Sequence, residues 1–206
     1  MTARERTTNG KMIRHFTNLC KSLLAKSTDI DIFIDSSNSF RHQKARCPHC
    51  GANGKLASHG DYARHLVAHV SGETVDSLVR PNRFKCGSCK RTHALLPDIT
   101  VPYSPYSIRF KLCALVAYYE RDTTVREICC RFGIAVSTLY EWKALFTTHI
   151  ELLFGVLQGL AEPAAVFLRG LLQSGSLSDT LRDFHSRLGR SFMQRLPRAA
   201  SWSRPP

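Results

Sequence analysis

Asn82-Arg-Phe-Lys-Cys86-Gly-Ser-Cys89-Lys-Arg91 and its counterpart Lys44-Ala-Arg-Cys47-Pro-His-Cys50-Gly51 decide how this chain is read. Each holds a Cys-x-x-Cys knuckle, a tight turn that offers two thiolates to one metal. Cys47, Cys50, Cys86 and Cys89 together fill the tetrahedral coordination of one zinc ion and leave no open position. The expected Zn2+ is therefore structural, and activates no water. A basic or polar lead-in precedes each knuckle, and Gly51 and Gly87 follow or sit inside. The glycines are expected to free the turns so that backbone amides face the sulfurs.

Between the pairs lie 35 residues, more than a compact four-cysteine site uses. A long hairpin absorbs the difference, because loop-closure entropy grows slowly with length. Residues 56–70 and 76–85 read as its strands, around a turn at Ser71-Gly72. Some sixty residues of short strands bury little core, so the metal is expected to carry the folding of residues 40–104. A thioredoxin-like redox pair would need a strand–helix context that neither knuckle has. Residues 1–26 hold no unbroken apolar run, so a secretory leader and an oxidising route to disulfides are not expected. Cys20, Cys113, Cys129 and Cys130 lie in apolar or helical patterns and read as buried small hydrophobes. His49, His65, His69 and His93 read as surface residues once four thiolates saturate the metal. Arg64 with His65 offers a phosphate contact, against the plainer reading of a solvated strand face.

Downstream, Thr124-Val-Arg-Glu-Ile-Cys-Cys-Arg-Phe-Gly-Ile-Ala-Val-Ser-Thr-Leu-Tyr-Glu-Trp142 has the layout of a helix-turn-helix. Thr124 and Glu127 form a capping box that opens a helix. Gly133 closes it with a positive φ, and Cys129 is small where two helices must approach. Ile128, Ile134, Leu139 and Trp142 fall on the inner face. Val136, Ser137, Thr138, Tyr140 and Glu141 fall at the exposed start of the second helix, the part that enters a major groove. Ser and Thr bond bases or phosphates, and Glu accepts from cytosine. Arg121, Arg126, Arg131 and Lys143 are placed to hold the flanking phosphates. The plainer alternative is a helical hairpin in an ordinary core.

Outward from these motifs, apolar three- and four-residue steps predict a helix over 11–26. Alternation over 29–34 predicts a short strand, with a loop over 35–39. Ser104-Pro105 reads as the N-cap and first turn of a helix with a stripe of Ile108, Leu112, Val116 and Tyr119. The second helix of the pair is expected over 137–147. Amphipathic helices follow over 150–160, 164–172 and 177–194, and a Pro/Arg/Ser tail from Pro197 reads as disordered. Their Leu and Phe stripes pack on the core or form a homodimer seam. Five segments result: 1–39, a helix and strand; 40–104, the four-cysteine zinc ribbon; 105–148, the helix-turn-helix; 149–196, a helical C-terminal region; and 197–206, the tail.

Lys and Arg number 29 against 16 acids, a net charge of +13. The excess is spread, at +5 over 1–46, +3 over 47–104, +2 over 105–150 and +3 beyond. That favours basic folded surfaces and a polyanionic partner, double-stranded DNA before membrane. RNA binding would need stacking aromatics on a sheet, and Tyr62 with Phe84 are too few. The most apolar stretch, 150–172, is broken by Glu151, Glu162, Pro163 and Arg169, so no membrane span is expected. No catalytic triad, phosphate loop or His-Glu-x-x-His occurs, and Glu120 and Asp122 read as solvated turn residues. The chain reads as a non-enzyme.

Asn82-Arg-Phe-Lys-Cys-Gly-Ser-Cys-Lys-Arg-Thr-His-Ala-Leu-Leu-Pro97 resembles the second knuckle of zinc ribbons at the front of bacterial insertion-sequence transposases. The run from Thr124 to Trp142 is similar to the helix-turn-helix that follows in such proteins. With Val101-Pro-Tyr-Ser104, the order resembles a transposase-related bacterial family of unassigned function that lacks the nuclease. The resemblance spans residues 44–148. It implies an α+β chain that binds DNA near transposon ends, zinc on Cys47, Cys50, Cys86 and Cys89, and a cytoplasmic, nucleoid-associated location. The chain departs at Ala135 and Val136, where related motifs carry Ser and a basic residue; this removes a helix cap and a phosphate contact. The nuclease of such transposases uses three carboxylates on an RNase H-like sheet, for which the 64 residues after Trp142 are too few. The expected function is non-catalytic, zinc-dependent DNA binding as an accessory protein or regulator. The competing readings are a vestigial transposase fragment and a protein-interaction adaptor.

Overall fold

The computed structural model describes residues 12–16, 27–70, 72–154, 164–173 and 176–195. The fold is mixed α+β. Its strands are β1 (Ile13–His15), β2 (Leu56–Asp61), β3 (Arg64–Val70), β4 (Glu73–Val79), β5 (Asn82–Cys86) and β6 (Thr92–Pro97). The helices are α1 (Asp29–Ser39), α2 (Ile108–Glu120), α3 (Val125–Phe132), α4 (Val136–Phe154), α5 (Ala164–Gln173) and α6 (Leu177–Leu188). A four-stranded sheet has the order β1-β6-β5-β2, and β3-β4 form a separate hairpin.

The 35-residue spacing between the knuckles is explained by that hairpin. Gly60 at φ 76 and an irregular register between Ser58 and Asp61 end β2. Pro81, which has no amide hydrogen to give a ladder, separates β4 from β5. The expected pair of long strands is thus four short ones. β2 and β5 stay with the cysteines, whereas β3 and β4 leave them. Leu66, Val67 and Val79 of the hairpin belong to the large core built by the helices. A second, smaller core holds Ile13, Leu56, Phe84 and Leu95 around Cys47 and Cys86.

The N-terminal region departs from expectation twice. Residues 13–15 are a strand, not part of a helix, because they pair in parallel with β6, Ile13 opposite Leu95; residues 11 and 17–26 of the expected helix lie outside the described residues. The expected strand over 29–34 and loop over 35–39 form one helix, α1. Thr28 caps it, accepting from the Asp31 amide while the Asp31 carboxylate accepts from the Thr28 amide. The buried residues Asp29, Ile32, Phe33 and Ser36 recur at helical spacing, and Ile34, the odd one of the alternation, is exposed. Asp29 is locked to the start of α2. The Ser107 hydroxyl donates to its Oδ2, and Arg109 Nη1 donates to its Oδ1 at 3.0 Å. Burial raises the Asp29 carboxyl above the ordinary carboxylate range, against the pull of Arg109 and Ser107.

Ser107, not Ser104, caps α2, accepting from the Phe110 amide at 3.0 Å. The chain before it is extended along β3: Val67 N–H donates to Pro105 C=O at 2.8 Å and Ser107 N–H to Val67 C=O at 2.9 Å. Helix α2 is central. It packs against β3 and against α3, α4 and α5, so it buries Phe110, Ala114 and Leu115 as well as Ile108 and Leu112 of the expected stripe. Glu120 is no free turn residue, since Arg169 of α5 donates to it. Helix α4 runs through 147–150 without a break, as nothing there stops a helix. The expected fourth helix therefore starts as its continuation, and residues 155–160 lie outside the description, as does the tail. Helix α6 ends earlier than expected, at Gly189 in the left-handed region. Leu168, Leu171, Leu177, Leu181 and Phe184 are buried in the chain's own interior, which leaves Leu152 and Val166 facing outward. Among the described residues no helix is long and apolar enough to cross a membrane.

Two basic groups are buried where α2, α4 and the chain after α6 meet. His149 Nδ1 accepts from the Met193 amide at 3.0 Å. Burial, with Arg190 and Lys111 nearby, lowers its pKa to about 4. Lys111 donates to Met193 C=O at 3.3 Å, and burial, with Arg195 and Arg64, lowers it to about 7. The unfolded chain therefore binds more protons over pH 4–6.5 and again over pH 7–10.5, and stability rises with pH in both windows. Denaturant titrations across pH are expected to show His149→Asn flattening the lower limb and Lys111→Met flattening the upper.

Candidate functional site

The two knuckles fold alike. Gly51 N–H donates to Cys47 C=O at 3.0 Å and Cys47 N–H to Ala52 C=O at 2.9 Å. Lys90 N–H donates to Cys86 C=O and Cys86 N–H to Arg91 C=O, both at 2.9 Å. The residue four past the first cysteine is left-handed in both, Gly51 at φ 73 and Lys90 at φ 60. Gly87 is not that pivot. Its amide donates to Lys55 C=O at 2.7 Å and ties the second knuckle to the chain leaving the first. A lysine in this conformation costs on the order of 1 kcal/mol.

These turns bring four sulfurs together. Cys47 Sγ lies 3.7 Å from Cys89 Sγ and Cys50 Sγ 3.7 Å from Cys86 Sγ. All four lie within 4.8 Å of one another. Sulfurs at about 2.3 Å from a tetrahedral metal stand about 3.8 Å apart, so the arrangement is compatible with a structural metal site. Backbone amides favour the charged form of the inner sulfur: the Cys89 amide, against burial and with help from Ser88, brings the Cys86 thiol to about 6. The Arg91 amide favours the Cys89 thiolate too, but burial and the three other thiols push it up to about 11. Four thiols this close cannot all ionise without a cation, so metal binding releases protons.

His93 is not a surface residue. It is 1% exposed, and its Nε2 lies 3.3 Å from Cys47 Sγ. An imidazole N–H at that distance stabilises a thiolate and fixes its direction. Alternation along β6 alone leaves His93 at the surface, because it does not reveal that β1 and β5 cover both flanks. His65 and His69 lie on β3. His65 meets Asp76 across the hairpin at 3.0 Å, and His69 packs on Phe132 with ring centroids 4.9 Å apart. Arg64 holds the connector, donating from Nη2 to Val101 C=O at 2.6 Å and Ser104 C=O at 2.5 Å. Cys129 is buried, but Cys130 is exposed, being one residue round the helix from it.

The α3–α4 pair carries the other expected residues. Thr124 and Glu127 make the reciprocal capping box. At the far end Ile134 N–H donates to Cys129 C=O at 3.0 Å and Gly133 N–H to Cys130 C=O at 3.3 Å, with Gly133 at φ 60. This is a Schellman closure. Two residues later α4 begins, and the Ala135 carbonyl accepts from Thr138 and Leu139 with no side-chain cap beside it. Ile128, Ile134, Leu139 and Trp142 are buried. Val136, Ser137 and Tyr140 are exposed, and Thr138 is half-buried. Glu141 is paired with Arg195. Lys143 lies 5.4 Å from the Tyr118 ring centroid and Arg131 5.2 Å from that of Phe132. Arg121, Arg126 and Arg131 are exposed.

The connector holds one residue in an unusual conformation. In the turn Val101-Pro-Tyr-Ser104, closed by Ser104 N–H to Val101 C=O at 3.2 Å, Tyr103 is left-handed at φ 60 and 73% exposed. Proline at the second place and a positive φ at the third make a type II turn, where glycine is usual.

A family model described as a domain of unknown function (DUF6431) matches residues 47–142. That span runs from the first of the four cysteines to the tryptophan that closes the helix pair. No curated protein and no solved structure matches the chain.

Two outcomes follow from this geometry. His93→Leu should weaken metal binding about 10- to 100-fold in a competition with a chromophoric chelator, while excess metal restores the fold. Cys86→Ser, or chelation of the wild type, should expose residues 40–104 to protease, as the small core is too thin to hold them alone.

Proposed function

We propose that the chain is a non-catalytic, zinc-dependent DNA-binding protein, a transposon-associated accessory protein or regulator. The four cysteines form a zinc ribbon and the α3–α4 pair a helix-turn-helix. The observation that carries the reading is the outward face of the first turns of α4. Val136, Ser137 and Tyr140 stand clear of the core while Leu139 and Trp142 anchor the same helix. A helix anchored on one side and exposed on the other at its N-terminal end suits a major groove. The net charge of +13 supplies the attraction to phosphate. Arg121, Arg126 and Arg131 supply backbone contacts, as does Lys143 once it leaves Tyr118. Glu141 reads a base only by exchanging Arg195 for it.

Zinc is favoured over other metals that accept four thiolates because the site has a structural place in the fold and no electron-transfer partner is needed. Without an N-cap side chain at Ala135 and with Val136 at the first helical position, affinity rests on phosphate contacts more than on base readout.

The test is selection from a random DNA library with zinc-loaded protein, followed by salt titration of the winners. Arg126→Ala and Arg131→Ala should weaken all sequences alike and each lower the salt slope by about one. Tyr140→Ala should change the sequence preference instead. No binding to any duplex at low salt would defeat the reading and favour an adaptor.

A further inference from the structure

Tyr103 combines features that neither the metal site nor the core of the helix pair uses. It is 73% exposed, more than any other large hydrophobic side chain among the described residues. Its φ of 60 lies in the left-handed region, where glycine or asparagine sits at little cost and an aromatic residue does not. The turn that carries it is nonetheless held firmly. Val101 and Pro102 before it are buried, and the proline ring restricts the backbone. Arg64 Nη2 donates to the carbonyls at both ends of the turn, Val101 and Ser104. A glycine at 103 would relieve the backbone, and loss of a side chain so exposed would remove little packing. Strain that the surroundings hold in place is a mark of functional positions.

The place of the turn points to what the side chain meets. Tyr103 shares the wall of a cavity of about 180 Å3 with Thr138 and Trp142 of α4, Lys111 of α2 and Arg195. Thr138 is half-buried, at the border between the anchored side of α4, which carries Trp142, and the outward side, which carries Val136, Ser137 and Tyr140. The turn therefore flanks the first turns of α4. Arg64 and Arg195 both add to the positive field at Lys111, so three basic groups stand around the turn. The nearby acid, Glu141, is paired with Arg195. A helix seated in a major groove has a phosphate strand on either side, and groups that flank the helix meet phosphates instead of base edges. A tyrosine hydroxyl donates to a phosphate oxygen, and on a turn already fixed it loses little freedom in doing so.

We propose that Tyr103 is a DNA-contacting residue whose hydroxyl binds the phosphate backbone beside α4 and so sets the register of that helix in the groove. This rests on the reading of α4 as the DNA-facing helix, and adds to it a contact from the connector.

The experiment measures binding of a labelled duplex of mixed sequence to the full zinc-loaded chain at low salt, by fluorescence anisotropy, with Tm and sedimentation recorded for every variant. Tyr103→Phe should weaken binding about fivefold and Tyr103→Gly further. The salt slope should stay as in the wild type, because no charge is removed, and so should the sequence preference, because no base is read. The Tm of Tyr103→Gly should equal or exceed that of the wild type, because the backbone strain is gone. Wild-type binding that both variants keep unchanged overturns this proposal and leaves the DNA reading standing. No duplex binding by the wild type overturns both. A loss of binding matched by a fall in Tm makes Tyr103 a structural prop, and a loss matched by dissociation of a dimer makes it a self-association contact; either result overturns the proposal.

Discussion

Four sulfurs converging within 4.8 Å are the constraint on which the rest of this fold depends. The sheet around them has a core of six buried residues, two of them the cysteines themselves. So small a core cannot offset the chain entropy of ordering β2, β5, β6 and the two knuckles. On the proposed reading, a cation bound by the four thiolates is what fastens this small core.

The fastening matters because of what lies between its two halves. The β3-β4 hairpin starts and ends at the cysteine module but packs its apolar face on the helices. Arg64 and Val67 then bind the connector 101–107, whose end is the cap of α2. Helix α2 supports α3 and α4. Order therefore passes from the sulfurs, through a hairpin and an extended connector, to the outward residues of α4. The family match, from Cys47 to Trp142, covers this same path. On the proposed reading the metal sets where the DNA-facing helix stands relative to the basic ribbon.

Legibility in the sequence followed locality. The knuckles, the capping box at Thr124 and the left-handed Gly133 depend on residues within a few positions, and they stand where their spacing puts them. Failures came where distant partners decided. Ile13–His15 has helical spacing but is a strand because β6 offers it an edge. Asp29 to Ile34 alternates like a strand, yet the Thr28–Asp31 cap and the buried bond to Arg109 make it a helix; that capping pair was the available signal. His93 looked like any polar residue after a knuckle, and only the closure of the sheet puts it on Cys47. The departure of β3 and β4 from the cysteine sheet was signalled by Pro81, which no central strand tolerates. The cavity that sets Tyr103 beside Thr138 and Arg195 has no local signature at all, as its residues come from distant stretches of the chain.

The central claim is that Cys47, Cys50, Cys86 and Cys89 alone close a four-coordinate metal site. X-ray absorption at the metal edge of the zinc-loaded chain tests it most directly. The account predicts one ion per chain with a single shell of four sulfurs at about 2.3 Å. A nitrogen in that shell, as His93 would give by displacing a thiolate, or an oxygen from bound water, would contradict it.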